Sequence, residues 1–286
     1  MALIQVSMLS DALQRTVPLR VVTPADKLVA GGYANPVGKK YKMLLLLHGY
    51  HGSFVDWTNA TRIQKWAETY NFIVVMPSGE NSSYIPQVVP ENDFGHYIGV
   101  EIPRIMRTMF PISERWEDLW IAGLSMGGFG AMRNGLKYNE TFSRIMALSG
   151  GFSRFLTLEA NPDDPGFVRF DKQFGGLENA RNTDLNPSWR AKQLMDAHKA
   201  DPSVKIPKIY MSCGTEDDLF GANILMRDSL REMGYEVDWY EGPGTHAWTF
   251  WGPEMLKLIQ TWLPLDDFQE GIDSGHTRGT AAREEK

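Results

Sequence analysis

With 286 residues, of which 43% are hydrophobic and 12% aromatic, the chain has the length and composition of one packed globular domain. Its formal net charge of −6 and its lack of a Lys/Arg-rich run argue against nucleic acid as a partner. The single cysteine, Cys213, excludes an internal disulfide and is typical of a reducing compartment. Since the amino terminus shows no secretory pattern and no apolar run approaches the roughly 20 residues of a membrane helix, we expect a soluble cytoplasmic protein that does not bind membranes.

Strands and helices are predicted to alternate along most of the chain. Strand-like apolar runs cover 2–9, 14–22, 41–47, 72–76, 119–122, 144–148, 206–213 and 236–240. Segments with helical spacing cover 61–70, 97–110, 128–138, 223–233 and 248–263. This alternation predicts the α/β class, with a mostly parallel central sheet, helices on both of its faces, and the first two strands as an antiparallel edge.

One segment interrupts the alternation. Residues 151–206 are rich in proline, glycine and charge and show only a patchy helical pattern. Because ligands bind at the carboxyl ends of the strands in such folds, we expect an insertion here to cover the site, and we name it the cap segment. The sequence thus predicts one domain over 1–265, with this cap insertion, followed by a flexible polar tail over 266–286.

Ser125 lies in Gly123-Leu124-Ser125-Met126-Gly127, which has the pattern Gly-x-Ser-x-Gly. A predicted strand precedes this segment and a predicted helix follows it, and that context is typical of a nucleophile elbow. The two glycines leave room where a Cβ would clash in the tight turn. We therefore predict that Ser125 is a nucleophile exposed at the edge of the sheet.

A serine nucleophile needs a histidine base, and three histidines follow Ser125 in the chain. His276 lies in the polar tail, and His198 lies in a charged helical stretch that is typical of a solvated face. His246 lies in a glycine-rich loop between the last predicted strand and the last helix, from which it can reach the sheet edge. His246 is therefore the predicted base.

The acid that orients the base is expected after a strand that lies between Ser125 and His246 in the chain. The strand ending at Cys213 runs into Glu216, Asp217 and Asp218, so three adjacent carboxylates are available. Asp217 is favoured because it follows Gly214 by three residues. Asp218 is the alternative, and the remaining carboxylates would cap the next helix.

An oxyanion hole needs two backbone N–H groups near the nucleophile. We predict those of Met126, which follows Ser125, and of Tyr50, in the loop after the third predicted strand. In the same loop, His48 and His51 are three residues apart without a third ligand nearby, so a structural role is favoured over a metal site. The predicted mechanism needs no metal and no organic cofactor.

Several linked motifs carry a family resemblance. They are His48-Gly49-Tyr50-His51-Gly52 with Trp57, Val75-Met76-Pro77 with Asn81 and Tyr84, Glu101-Ile102-Pro103, Ala122 to Ala131, Leu148-Ser149-Gly150, Cys213 to Asp217, and Gly244 to Trp248 with Trp251. Over about residues 5–263 the chain resembles the α/β-hydrolase branch of tributyrin esterases, feruloyl esterases, esterase D (S-formylglutathione hydrolase) and mycolyltransferases. It most resembles the intracellular tributyrin-esterase type. The resemblance implies the α/β-hydrolase fold, and the triad and oxyanion roles given above.

Together these features predict a serine carboxylesterase that cleaves small-molecule esters, of short-chain or hydroxycinnamoyl (feruloyl) acids, through an acyl-enzyme on Ser125. An acyltransferase or an S-formylglutathione-type thioesterase would use the same triad, and a catalytically silent binding protein is the non-enzyme alternative. Aromatic loop residues either receive an aryl acyl group or pack the cap segment. The residues considered for these roles are Trp248, Phe152, Tyr84, Phe94, Tyr97 and Phe155. Chain length of the acyl group and a homo-oligomeric state stay open.

Overall fold

A computed structural model describes residues 1–29, 31–89, 91–156, 163–265 and 269–272. The strands are β1 (Ala2–Ser10), β2 (Arg15–Thr23), β3 (Leu28–Val29), β4 (Gly32–Tyr33), β5 (Lys42–Leu47), β6 (Phe72–Pro77), β7 (Leu119–Leu124), β8 (Arg144–Leu148), β9 (Lys208–Gly214) and β10 (Val237–Gly242). Eight of them form one sheet in the order β1-β2-β6-β5-β7-β8-β9-β10, and β3 pairs with β4 separately.

The large sheet has an antiparallel edge and a parallel body. β1 pairs with β2, and β2 with β6, in antiparallel fashion, whereas all pairs from β6 through β10 are parallel. This confirms the predicted mostly parallel sheet. Because the parallel strands end on one side, the loops that follow β5 to β10 meet there, and we call this side the carboxyl edge.

Helices cover both faces of the sheet. They are α1 (Asp56–Ala60), α2 (Ile63–Thr69), α3 (Phe94–His96), α4 (Ile102–Met109), α5 (Met126–Lys137), α6 (Ser153–Leu156), α7 (Pro165–Gln173), α8 (Leu177–Ala180), α9 (Pro187–Ala200), α10 (Phe220–Met233) and α11 (Trp248–Thr261). Along β5, Leu45 and Leu47 face one buried cluster, and Leu44 and Leu46 face the other. Helices α4, α5, α9 and α10 contribute to the first cluster, and α2 and α11 to the second.

The structure divides the cap segment into two parts. Its last long helix, α9, buries Ala191, Leu194 and Met195 in the same cluster as α5 and α10, so it covers a face of the sheet. This helix is the crossover that two parallel neighbours, β8 and β9, require. The earlier part instead contacts loops of the carboxyl edge: Gln173 Nε2–H donates to Asn81 O (2.6 Å), and Gln173 Oε1 accepts from Ser83 Oγ (2.9 Å).

Only residues 269–272 of the predicted tail lie within the described ranges beyond 265. They pack on the domain, since Gln269 N–H donates to Thr69 O (3.2 Å) and Ile272 N–H to Leu28 O (2.7 Å). The rest of the predicted flexible tail, including His276, lies outside the described residues. Among the described helices, none has both the length and the apolar character to cross a lipid bilayer.

Candidate active site

Ser125 connects β7 to α5 in a strained backbone conformation, with φ 55° and ψ −117°. Close packing imposes this turn: a Cβ on Gly123 would lie 2.4 Å from Gly127 O, and one on Gly127 would lie 2.6 Å from His48 O. The strained residue is fixed by its own backbone, because Ser125 N–H donates to Leu148 O (2.9 Å) and Ser125 O accepts from Gly151 N–H (2.9 Å). The elbow predicted from the sequence is thus present.

The three residues of the predicted triad meet at the carboxyl edge. His246 Nε2 lies 2.9 Å from Ser125 Oγ, and His246 Nδ1 lies 2.8 Å from Asp217 Oδ2. With the Nδ1–H donated to the carboxylate, Nε2 is left as the acceptor for the serine proton. The arrangement can therefore deprotonate Ser125 as a substrate carbonyl approaches.

Asp217 is the carboxylate that contacts His246, and its side chain is fully buried. Burial alone would raise the pKa of Asp217, but hydrogen bonds from His246 and from Leu219 N–H (2.8 Å) outweigh it and lower that pKa below its usual value. The neighbouring carboxylates of Glu216 and Asp218 are exposed. Glu216 accepts a hydrogen bond from Gly244 N–H, which joins the acid loop to the histidine loop.

The loops that carry the acid and the base are held against each other by backbone contacts. Thr215 N–H donates to Gly242 O (2.9 Å), and Glu216 N–H donates to Gly244 O (3.0 Å). A Cβ on Gly214 would lie 2.1 Å from Gly244 O, so the approach requires glycine there. Because β9 and β10 are paired neighbours, Asp217 and His246 meet across adjacent strand ends.

Ser149 and Trp251 complete a network that the sequence argument did not assign. Ser149 is fully buried with φ 45°, and its Oγ accepts a hydrogen bond from Trp251 Nε1–H (3.0 Å). A hydrogen bond from Ser149 also lowers the pKa of Asp217. The Trp251 ring stands perpendicular to the His246 ring, with centroids 4.8 Å apart. Ser149 and Trp251 both belong to the motifs that carry the family resemblance. That membership was the only sign in the sequence that they contribute to the site.

The backbone N–H groups of Tyr50 and Met126 have no hydrogen-bond acceptor among the described residues. Their loops are in contact, since a Cβ on Gly49 would lie 3.6 Å from Ser125 Cβ. Two unpaired donors beside a nucleophile are what an oxyanion hole requires. Their assignment to that role stays a prediction.

His48 shapes the loop that carries Tyr50. Its Nδ1–H donates to Gly49 O (2.7 Å), and its Nε2 accepts from Gly79 N–H (2.9 Å). Burial lowers the pKa of His48, so the imidazole stays neutral. Within the described ranges, no three His, Cys, Asp or Glu side chains are grouped as a metal ion would need.

Tyr84 and Phe152, two of the six aromatic residues considered for contact with the substrate, are buried. Tyr84 is fully buried and donates its hydroxyl hydrogen to His48 O (3.0 Å), so it cannot line a pocket. Phe152 is 2% exposed and packs near Phe129, with ring centroids 6.4 Å apart. Trp248 is half-buried between Trp57 and Trp251, two residues from the base. His198, the remaining histidine after Ser125 among the described residues, lies in the last turn of α9 and contacts Val204 O through its Nδ1 (2.7 Å).

The fold and the Ser125–His246–Asp217 geometry define a serine hydrolase with the α/β-hydrolase fold. Comparison with known proteins shows to which family within this class the chain belongs. The chain belongs to the family described as "Putative esterase", whose sequence model matches residues 10–261. An acetyl esterase of Caldicellulosiruptor saccharolyticus is 35% identical over 272 residues, which are 93% of this chain and 100% of that protein. The protein is therefore a carboxylic ester hydrolase, as predicted.

Solved structures show the same fold. The substrate-bound serine hydrolase FphF of Staphylococcus aureus is 25% identical, with a TM-score of 0.75, over 91% of this chain and 97% of that one. The S-formylglutathione hydrolase FrmB of the same organism is also 25% identical, with a TM-score of 0.74 and the same coverage. A ferulic acid esterase, at 20% identity and a TM-score of 0.73, supports the fold alone.

Proposed function

We propose that the protein hydrolyses small carboxylic esters through an acyl-enzyme on Ser125, with His246 as the base and Asp217 as the acid that orients it. The observation that carries this proposal is the continuous chain of contacts from Ser125 Oγ to His246 (2.9 Å) and from His246 to Asp217 (2.8 Å). No other described carboxylate contacts the ring of His246.

In the first half of the reaction, His246 Nε2 takes the proton as Ser125 Oγ attacks the ester carbonyl. The N–H groups of Tyr50 and Met126 stabilise the oxyanion of the tetrahedral intermediate. His246 then protonates the departing alkoxide, which leaves the acyl group on Ser125. In the second half, His246 activates a water molecule that attacks the acyl-enzyme and releases the acid.

Replacement of the nucleophile tests this proposal. Ser125→Ala is expected to reduce kcat by roughly 10⁴- to 10⁶-fold, because it removes the hydroxyl group that His246 deprotonates and that attacks the ester. Labelling by a fluorophosphonate, measured by mass spectrometry, should be lost at the same time. Ser203→Ala, which changes an exposed serine outside the site, is the matched control. Undiminished turnover in Ser125→Ala would refute the assignment.

Short acyl groups are the proposed substrates, by analogy with the 35% identical acetyl esterase. Four aromatic side chains that were candidates to receive an aryl acyl group are at most 2% exposed and form core: Tyr84, Phe94, Tyr97 and Phe152. We therefore expect higher kcat/KM for p-nitrophenyl acetate, p-nitrophenyl butyrate and tributyrin than for methyl hydroxycinnamates. A preference for methyl ferulate would reverse this assignment.

A thioesterase activity is the second candidate, because one of the similar structures is an S-formylglutathione hydrolase. Parallel assays with an acyl ester and the corresponding acyl thioester separate the two activities. We further propose a cytoplasmic location, which is supported by the buried free thiol of Cys213. Fractionation of cells that make the protein from its own gene would test the location.

A further inference from the structure

Arg154, in α6 of the cap segment, is a buried cation without a hydrogen-bond partner for its Nη1 atom. The residue is 5% exposed. In the described part of the chain, no carboxylate forms an ion pair with it. Burial lowers the pKa of Arg154 to about 9, and the nearby charge of Arg169 acts in the same direction. The guanidinium therefore still carries its charge at neutral pH.

Among the described residues, Arg133 is the other arginine that is almost fully buried, and its guanidinium has hydrogen-bond partners. Its Nη2–H donates to Asp184 Oδ2 (3.0 Å), its Nε–H to Asp184 O (3.0 Å), and its Nη1–H to Asn134 Oδ1 (2.8 Å). A buried guanidinium that lacks such partners is costly, because its N–H groups have lost water without replacement. The difference between Arg133 and Arg154 points to an external partner for Arg154.

Arg154 lies beside the nucleophile. Gly151 N–H donates to Ser125 O (2.9 Å), and a Cβ built on Gly151 would lie 3.6 Å from both Ser125 O and Arg154 Nη2. The guanidinium is thus adjacent to the backbone that fixes Ser125.

A second cation lies on the same side of the site. The guanidinium carbon of Arg169, on α7, is 4.8 Å from the ring centroid of Tyr50, whose N–H is a proposed oxyanion donor. Arg169 is exposed, and it too lacks an ion-pair partner among the residues that the structure describes. Its charge repels that of Arg154, so the fold brings two like charges together at the site.

Aromatic rings surround Arg154 but cannot replace an anion. Its guanidinium carbon lies 4.8 Å from the Phe129 ring centroid, 4.2 Å from that of Phe170 and 5.8 Å from that of Phe174. Cation–π attraction offsets part of the desolvation of the charge. The rings do not accept the strong, directed hydrogen bonds that a carboxylate accepts from guanidinium N–H groups.

We propose that Arg154 and Arg169 bind a carboxylate carried by the ester substrate, so that the enzyme prefers anionic esters over neutral ones. This inference rests on the proposed function, since it assigns the substrate class of the same site. The ester carbonyl lies at Ser125 and the carboxylate lies against Arg154, with Arg169 closing the site from the exposed side. The carboxylate belongs either to the acyl group or to the alcohol.

The test compares two carboxylate esters with neutral esters of similar shape. Monoethyl succinate carries the carboxylate on the acyl side and is compared with ethyl pentanoate. 3-Acetoxypropionate carries it on the alcohol side and is compared with butyl acetate. We expect one carboxylate ester to exceed its neutral counterpart in kcat/KM by roughly tenfold or more, as for a hydrogen-bonded charge, and that pair identifies the side.

Arginine variants then locate the effect. Arg154→Met is expected to reduce the carboxylate-to-neutral ratio of kcat/KM by roughly tenfold or more, and Arg169→Met by less because solvent screens its charge. Arg104→Met removes the same charge from an exposed position on α4 and should keep the wild-type ratio. An equal loss of the ratio in Arg104→Met would overturn the inference.

Because Arg154→Met could fail to fold, inhibition of the wild-type enzyme is a second measurement. Succinate is expected to inhibit neutral-ester hydrolysis at a concentration roughly tenfold lower than uncharged succinamide. Equal inhibition, with no preference in either ester pair, would overturn the inference and leave the proposed function standing. Absence of turnover with all four esters, together with no fluorophosphonate labelling of Ser125, would overturn the proposed function instead.

Discussion

Buried polar groups at the carboxyl edge differ from Arg154, in the early part of the cap segment, in how many hydrogen-bond partners they have within the chain. At the edge, Asp217, Ser149 and His48 each have two or more hydrogen-bond partners within the chain. In the cap segment, Arg154 is as buried as these residues and retains an unpartnered Nη1. The proposed catalytic groups are thus positioned by the protein itself, whereas Arg154, in its proposed role, obtains its partner when the substrate binds.

Substitution of two neighbouring carboxylates is expected to give the largest difference in kcat that tests this contrast. Asp217→Asn is expected to reduce kcat by about 10⁴-fold, because an amide cannot hold the required tautomer of His246. Asp218→Asn changes an exposed carboxylate one residue away and should change kcat little. Steady-state kinetics on p-nitrophenyl acetate measure both. Equal, mild losses would show that the edge does not depend on Asp217.

Ser149→Ala probes the positioning of the acid. Loss of its hydrogen bond to a charged group is expected to lower kcat by roughly 10- to 100-fold with KM little changed. If Ser149 acts through Asp217, the substitution should cost almost nothing more in the Asp217→Asn background. An additive loss in the double variant would instead indicate a general structural role.

The close packing of the elbow can be tested on stability. In Gly127→Ala, the new Cβ would meet the backbone oxygens of Leu47 and His48 at 2.6 Å, and these atoms cannot shift freely. The expected loss in the free energy of unfolding is about 1–3 kcal/mol, measured by urea denaturation. Gly221→Ala, where a Cβ has open space in α10, should be neutral or gain up to about 1 kcal/mol. Similar values for the two variants would contradict the packing argument.

The smallest expected effect is on the pH dependence of stability. Since the pKa of Asp217 is lower in the folded than in the unfolded protein, its contribution is fully present above the unfolded value of about 3.9. That contribution is lost as the pH falls below about 4 and passes through the lower pKa of the folded protein. Asp217→Asn should therefore show a shallower decline of the unfolding free energy over this window than Asp218→Asn. If the unfolding free energies of the two variants had the same dependence on pH, the pKa of Asp217 would not be lowered in the folded protein.

The strands that carry the site, and the order of the triad residues along the chain, were predictable because their signals are local. Continuous apolar runs indicated β5, β6 and β7, and the order Ser125, Asp217, His246 followed the chain. The choice between adjacent acids needed the structure, since only the direction of the turn after β9 decides which carboxylate faces His246. The sequence preference for Asp217 agrees with the contact observed.

Long-range packing could not be read from the sequence. Ser149 and Trp251 are 102 residues apart, and no local pattern shows that they share a hydrogen bond. Tyr84 and Phe152 look like loop aromatics, yet the fold buries both. Helix α9 was not separated from the cap because its buried face is formed by few large apolar residues among many charged ones.

The division of the cap segment into an excursion and a crossover helix has a consequence for how such enzymes diversify. The excursion leaves the edge after Gly151 and ends where α9 begins, and Phe152 and Asn186 line the same small cavity, so its two ends are close together. None of the proposed triad residues lies within it. Grafting the corresponding stretch of another family member is therefore expected to change ester preference while the hydrolytic centre is retained, provided that the graft keeps Asp184, the partner of the buried Arg133 of α5.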